Sequence, residues 1–220
     1  MKLSKRLQAI YDFVNSPCIL ADIGCDHALL PIALIEGKKC EKVYACDVNE
    51  GPLQRGQQSI DKYGYASSIS TVLTNGLHDV PNDINCITIA GMGWETICMI
   101  LENDMDKAQQ CSQLVLQSNN HIDDLRRWLS EHNFVIDHEN LVFEQHYYFI
   151  LSIHPGHQDL TDHEIKYSLY LENHPLYQKY WQFILHKKEM ILKKLDSNHP
   201  TYSVLLADIN DIKSHVFHVN

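Results

Sequence analysis

The chain alternates between short apolar runs and longer stretches whose apolar positions recur every three or four residues. Residues 19–23, 42–46, 69–73, 85–90 and 113–117 have the length and aliphatic content of buried strands. Between them lie helical patterns. Leu3, Leu7, Ile10 and Val14 share one face, with Ser4 as a cap. Residues 27–36 follow, closed by Gly37; another helix starts near Pro52 and stops at Gly64; residues 94–102 and 121–131 supply two more. Strands that alternate with helices predict a mostly parallel, doubly wound sheet. Residues 134–143 and 145–153 have no helix between them, so they predict an antiparallel pair closing one edge.

After Pro155-Gly156 the pattern changes. Residues 160–196 are rich in Lys, Tyr, Leu and His, with helical periodicity interrupted at Pro175, which predicts two helices. Ile184, Met190, Ile191 and Leu195 form the candidate packing stripe. His199-Pro200 marks a break, and a last short helix with a frayed tail is expected from Tyr202 onward. The predicted division is therefore residues 1–155 and 156–220.

Composition narrows the class. The 220 residues are 45% hydrophobic and 21% charged, an ordinary globular balance. No apolar run reaches about 18 residues, so no membrane span is expected. The basic N-terminal residues precede no apolar segment, so no secretory signal is expected either. Seven cysteines occur without a Cys-x-x-Cys pair and predict free buried thiols in the cytoplasm. Fourteen histidines show no metal-binding spacing, so no metal is expected. A net charge of −10 opposes nonspecific coating of nucleic acid but leaves room for a local basic face.

The candidate chemistry gathers where strands end. Asp22-Ile-Gly24-Cys25-Asp26-His27 follows the first strand and Asp47-Val48 ends the second. In a nucleotide-binding sheet, the second carboxylate lies where a ribose would. A nicotinamide dinucleotide would require Gly-x-Gly-x-x-Gly, and only Gly24 is present. S-adenosylmethionine has no pyrophosphate. It needs close backbone approach, from Gly24, and a carboxylate for the ribose hydroxyls, from Asp47. The plainer alternative is a helix-capping Asp26 and a strand-terminal Asp47 with no ligand. Asn75-Gly76 is either an adenine contact or a plain turn. Ala90-Gly91-Met92-Gly93 ends the fourth strand and leaves room for a flat substrate. Trp94 beside it either stacks on a base or packs on the core.

These residues carry a family resemblance. Leu3-Ser-Lys-Arg-Leu7, Ala21-Asp-Ile-Gly-Cys-Asp-His-Ala28 with Leu30-Pro31, Ile87-Thr-Ile-Ala-Gly-Met-Gly93, Leu116-Gln-Ser-Asn119 and Arg126-Arg-Trp-Leu129 occur in order over roughly the first 150 residues. Together they resemble the bacterial tRNA (adenine-N1)-methyltransferases that modify position 22 in the D-loop region. The family usually has Gly where this chain has Trp94, and Pro where it has Ser118. The resemblance implies an α/β, Rossmann-like class I methyltransferase sheet, mostly parallel with an antiparallel C-terminal edge. It also implies a small helical appendage resembling an antiparallel coiled-coil arm.

By the same resemblance, the cofactor is S-adenosyl-L-methionine, held by Asp22, Gly24, Cys25, Asp26, His27, Asp47, Val48, Asn75, Gly76, Ala90 and Gly91. Asp26, Gly91 and Met92 are the catalytic candidates, and Asp26 can equally meet the methionine ammonium. The macromolecular partner is tRNA. Its candidate grips are Lys5, Arg6, Trp94, Asn119, Arg126, Lys187, Lys188, Lys193 and Lys194, with Lys2 and Arg127 nearby. From Lys179 to Lys194 five lysines face one glutamate. A monomer or weak homodimer is expected. A methyltransferase for another substrate, and a catalytically silent tRNA-binding relative, remain as alternatives.

Overall fold

The computed structural model describes residues 1–218. Seven strands form one sheet in the order β3-β2-β1-β4-β5-β7-β6: β1 Cys18–Ile23, β2 Cys40–Asp47, β3 Ile69–Leu73, β4 Cys86–Met92, β5 Gln113–Ser118, β6 Phe134–Glu144 and β7 His146–Pro155. The first five are parallel, and β7 is antiparallel to both β5 and β6. This is the predicted doubly wound sheet with its antiparallel edge.

The helices in the first part of the chain are α1 Lys5–Phe13, α2 Leu29–Glu36, α3 Glu50–Tyr63, α4 Trp94–Asn103, α5 Met105–Gln110, α6 Ile122–Glu131 and α7 Asp162–Tyr167. They fall into two contacting sets, α1-α2-α3 and α4-α5 with α4-α6-α7, as crossovers onto two faces of a sheet require. The strand interiors are apolar because both faces are covered. Leu20, Ile87, Ile89, Leu114, Val115 and Leu116 are all fully buried. Truncating any of them to alanine would cost about 2–5 kcal/mol. The hydroxyl of Ser4 caps α1, accepting from the Leu7 amide at 3.3 Å. All seven cysteines are free and buried.

The chain divides into two compact units, Met1–Tyr170 and a second that begins at Leu171. The expected boundary at residue 155 falls inside the first unit. Two hydrogen bonds hold the intervening segment there. Arg126 donates to the Ile165 carbonyl at 2.9 Å, and the Tyr170 hydroxyl donates to the Ile136 carbonyl at 2.7 Å.

The second unit contains α8 Tyr177–Leu192 and α9 Pro200–Phe217. These two helices pack on each other through Lys188–Asp208 (2.6 Å) and Lys213–Glu189 (2.7 Å). The expected stripe on α8 is not its packing face, because Met190 and Ile191 are exposed while Tyr177 and Trp181 are buried. The last helix is long, not short, since Pro200 opens it and the His199 ring accepts from the Thr201 amide. The frayed tail expected at the end lies outside the described residues. Among the described residues, no helix is long and apolar enough to cross a membrane.

Candidate active site

The carboxyl ends of β1, β2, β4 and β5 share one edge of the sheet, the place where doubly wound sheets open a ligand crevice. As β1 ends, Gly24 turns the chain at φ +80°. The amides of Gly24 and Cys25 both donate to the Cys46 carbonyl, at 2.8 and 3.0 Å, and stitch this loop to β2. Asp26 (φ +32°) and Ala28 (φ +53°) also occupy the left-handed region. Such strain persists where the surroundings enforce it. Helix α3 does so twice. Gly56 leaves space for the Asp26 carbonyl, which a Cβ would approach to 3.0 Å. Arg55 grips Asp26 Oδ1 through Nη2 at 2.7 Å and Nε at 3.2 Å. Neither Arg55 nor Gly56 carries a sequence signal, because each matters only through a contact made across the fold.

Around this loop lies a cleft of about 170 Å³ lined by Arg6, Asp22, Gly24, Cys25, Asp26, His27 and Ala90, together with three leucines. Six predicted cofactor residues and one predicted RNA-binding residue thus meet in one place. Asp22 is buried and accepts from the Thr88 hydroxyl at 2.6 Å. Burial pushes its carboxyl up to about 6, while the Thr88 hydrogen bond and the Arg6 charge pull the other way. Desolvation raises the Cys25 thiol, so it stays protonated and serves as a wall.

Asp47 stands at the end of β2, half-buried, its carboxylate accepting from the Asn49 amide at 2.9 Å. Its carbonyl accepts from the Thr74 amide at 3.0 Å, which lays the Asn75-Gly76 segment beside it. Val48 is exposed next to it. Asp47, Val48, Asn75 and Gly76 flank the cleft on the β2–β3 side and are not part of its lining.

The end of β4 is held more tightly. Gly91 sits at φ +79° with both backbone groups engaged. Its amide donates to Gln117 Oε1 at 3.0 Å, and its carbonyl accepts from Asn119 Nδ2 at 2.7 Å. Gln117 Nε2 donates to Asn119 Oδ1 at 3.1 Å, and Arg6 Nη1 donates to Gln117 Oε1 at 2.7 Å. The Asn119 amide donates to the Met92 carbonyl at 2.8 Å. The Met92 methyl lies 2.5 Å from where a Cβ on Gly24 would be, so the missing side chain there makes room for it. Trp94 opens α4 half-buried, its amide donating to Asn120 Oδ1 at 3.1 Å. Ser118 donates its hydroxyl to the Asn120 carbonyl at 2.6 Å and closes the turn by hydrogen bonding. Gln117 lies in the Leu116–Asn119 motif but carries no site role in the sequence reading, although a polar residue in an otherwise apolar buried strand is a usable signal.

The predicted RNA-binding residues divide. Lys5 is exposed at the start of α1, where Glu144 accepts from its amide. Lys187 lies over the Phe183 ring at 4.3 Å, and Lys193 and Lys194 are exposed. Lys188 is tied to Asp208, and Arg127 to Asp162. Arg126 is not a surface grip. It is 1% exposed, forks onto Glu139 at 2.9 and 2.6 Å, and spends its remaining nitrogen on Ile165. It faces the core because Leu125, Trp128 and Leu129 on the same helix are buried there. Among the described residues, one cluster, His121 with Asp123 and Asp124, has ligand atoms close enough for an ion. His121 and Asp123 are exposed and Asp124 half-buried, all at the start of α6, where acidic side chains complement the helix dipole.

Residues 3–151 match the family described as a methyltransferase domain. A curated relative from Bacillus subtilis (strain 168), named tRNA (adenine(22)-N(1))-methyltransferase, is 34% identical over 145 residues, 66% of this chain. The match spans 61% of that relative's length. A solved structure from Streptococcus agalactiae, described as a protein in the NADB-Rossmann superfamily, superposes with a TM-score of 0.93. It is 37% identical, with 98% of each chain covered. TrmK from M. capricolum, solved with S-adenosyl-homocysteine as the cofactor product, superposes with a TM-score of 0.89 at 32% identity over 100% of both chains.

Proposed function

The chain belongs to the methyltransferase-domain family, and from that premise we propose that it transfers a methyl group from S-adenosylmethionine to N1 of adenine 22 in bacterial tRNA. The observation that carries this reading is the cleft at the ends of β1 and β4. It combines a single-glycine turn with an arginine beside the Gly91 turn, and the carboxylate at the end of β2 flanks it. Its free buried thiols suit the reducing cytoplasm, where tRNA is modified.

The residues fit the cofactor. Gly24 lets backbone approach closely, Asp47 offers carboxylate oxygens to ribose hydroxyls, and Asp22 and Asp26 are the acidic groups for an ammonium. When bound, S-adenosylmethionine supplies an electrophilic methyl on a sulfonium. Neutral adenine N1 already has a lone pair, so the protein has no proton to remove first. The residues contribute mainly by holding the base in line and excluding water. Gly91 and Gly93 make room for Arg6 Nη1 and Asn120 Oδ1, each 3.3 Å from where a Cβ would stand, and half-buried Trp94 stands beside that turn for stacking. The methylated base is cationic, so the Asp22 and Asp26 carboxylates at the cleft stabilise the charge that grows in the transition state.

N1 lies on the pairing edge, so the target base must leave its stack at a cost of a few kcal/mol. Exposed Lys5, Lys187, Lys193 and Lys194 supply phosphate contacts that offset this. Binding of S-adenosylmethionine by titration calorimetry, followed by transfer of labelled methyl to unmodified bacterial tRNA, tests the reading. Cofactor binding without transfer to tRNA would keep the cofactor site and refute the substrate.

A further inference from the structure

The protein has four arginines, and three are matched to carboxylates: Arg55 to Asp26, Arg126 to Glu139 and Arg127 to Asp162. Arg6 is the exception. It lines the cleft, yet the group that fixes it is the neutral amide of Gln117, at 2.7 Å. Its guanidinium also lies over the Tyr148 ring at 5.7 Å. A cation held by an amide and an aromatic face keeps its charge for a ligand, whereas one held by a carboxylate has spent it.

Gln117 is fully buried in β5, beside Leu114, Val115 and Leu116. An amide in such a place is costly unless it is hydrogen-bonded. Here both its oxygen and its nitrogen are bonded. Its oxygen receives both Arg6 and the Gly91 amide, and its nitrogen donates to Asn119, which donates back to the Gly91 carbonyl. The closed ring Gln117–Asn119–Gly91 fixes which end of the amide faces Arg6. A chain-distant cation on α1 and the turn at the end of β4 are thereby referenced to one side-chain oxygen.

We propose that Gln117 is the positioning residue of this site. It presents Arg6, whose guanidinium is hydrogen-bonded to no carboxylate, to an oxyanion of the bound ligands, and it locks Arg6 to the Gly91 turn. The inference rests on the tRNA methylation reading. The oxyanion is either the carboxylate of the cofactor's methionine moiety or a phosphate of the RNA.

Gln117→Glu tests it, because a glutamate keeps an acceptor for Arg6 and the Gly91 amide, pairs the Arg6 charge and gives up the donor to Asn119. A purely structural Gln117 would lower Tm through the opened ring and leave the ligand affinity of the folded variant unchanged. The proposal predicts instead that the variant, measured well below its Tm, binds the anion about tenfold more weakly or more, the scale of one charge-assisted hydrogen bond. Two arms separate the anion sources. If the carboxylate is the partner, S-adenosylmethionine loses affinity for the variant, while its decarboxylated analogue does not. If an RNA phosphate is the partner, cofactor affinity holds, and the slope of log K for tRNA against log salt falls by about 0.7–0.9. Gln117→Leu, which frees Arg6 and the Gly91 amide, adds a readout independent of substrate: hydrogen exchange at Gly91 should quicken. Wild-type affinity for both ligands in Gln117→Glu overturns the proposal while leaving tRNA methylation intact. Failure of the wild-type protein to bind either ligand overturns the functional reading itself.

Discussion

Replacing Arg126 with methionine would leave Glu139 a buried carboxylate without a counter-charge. The two side chains are 2% and 1% exposed, so neither can turn to water. Three hydrogen bonds are lost: two to Glu139, at 2.9 and 2.6 Å, and one to the Ile165 carbonyl at 2.9 Å. Breaking a buried pair from one side costs about 3–5 kcal/mol, because the stranded charge remains. For a chain of this size, about 2–4 °C of Tm accompanies each kcal/mol, so the midpoint should fall by roughly 6–20 °C. Arg126→Met with Glu139→Leu removes both charges and should regain most of that. The residual deficit is about 1 kcal/mol, for the Ile165 carbonyl that loses its donor. Calorimetry on the two variants, with tRNA binding measured well below the midpoint, is the assay. A single variant that loses less than about 1 kcal/mol, or one that keeps its Tm but shows a smaller salt slope for tRNA, would refute the reasoning and return Arg126 to the RNA surface.

Three further outcomes are expected. Asp22 has its carboxyl raised to about 6 in the fold against 3.8 outside it, so ionising it costs stability. That contribution is full below about pH 4 and is lost as pH rises past 6, amounting to about 3 kcal/mol. Asp22→Asn should therefore match the wild type in urea unfolding at pH 4 and exceed it at pH 7; equal curves at both pH values would refute the assignment. Lys187→Glu, Lys193→Glu and Lys194→Glu should each weaken tRNA binding and flatten its salt dependence. Lys188→Glu should chiefly lower Tm, since it breaks the contact with Asp208. Gly24→Val should weaken S-adenosylmethionine binding at least tenfold by calorimetry, because a β-branched residue resists φ +80° and its Cβ displaces Met92.

The sheet was legible because its strands are apolar runs buried on both sides, and the antiparallel edge because residues 134–153 contain no helical period. Helix α5 was missed because Met105–Gln110 buries only Ala108 and so has no stripe to read. The boundary near residue 155 was misplaced because Arg126 and Tyr170 bind the following segment through backbone carbonyls, which leave no trace in composition. The cofactor loop was readable from Gly24 and the acids around it. The roles of Arg55, Thr88 and Gln117 were not, because these side chains act on residues far away in sequence. Arg126 and Arg127 are neighbours in sequence with opposite fates, one buried and one exposed, and helix phase alone separates them.

The most direct test is to map the modified nucleoside. Unmodified bacterial tRNA, incubated with the protein and labelled S-adenosylmethionine, should yield 1-methyladenosine by mass, and a transcript with guanosine at position 22 should yield none. Label in another nucleoside, or 1-methyladenosine that survives the replacement, would contradict the account.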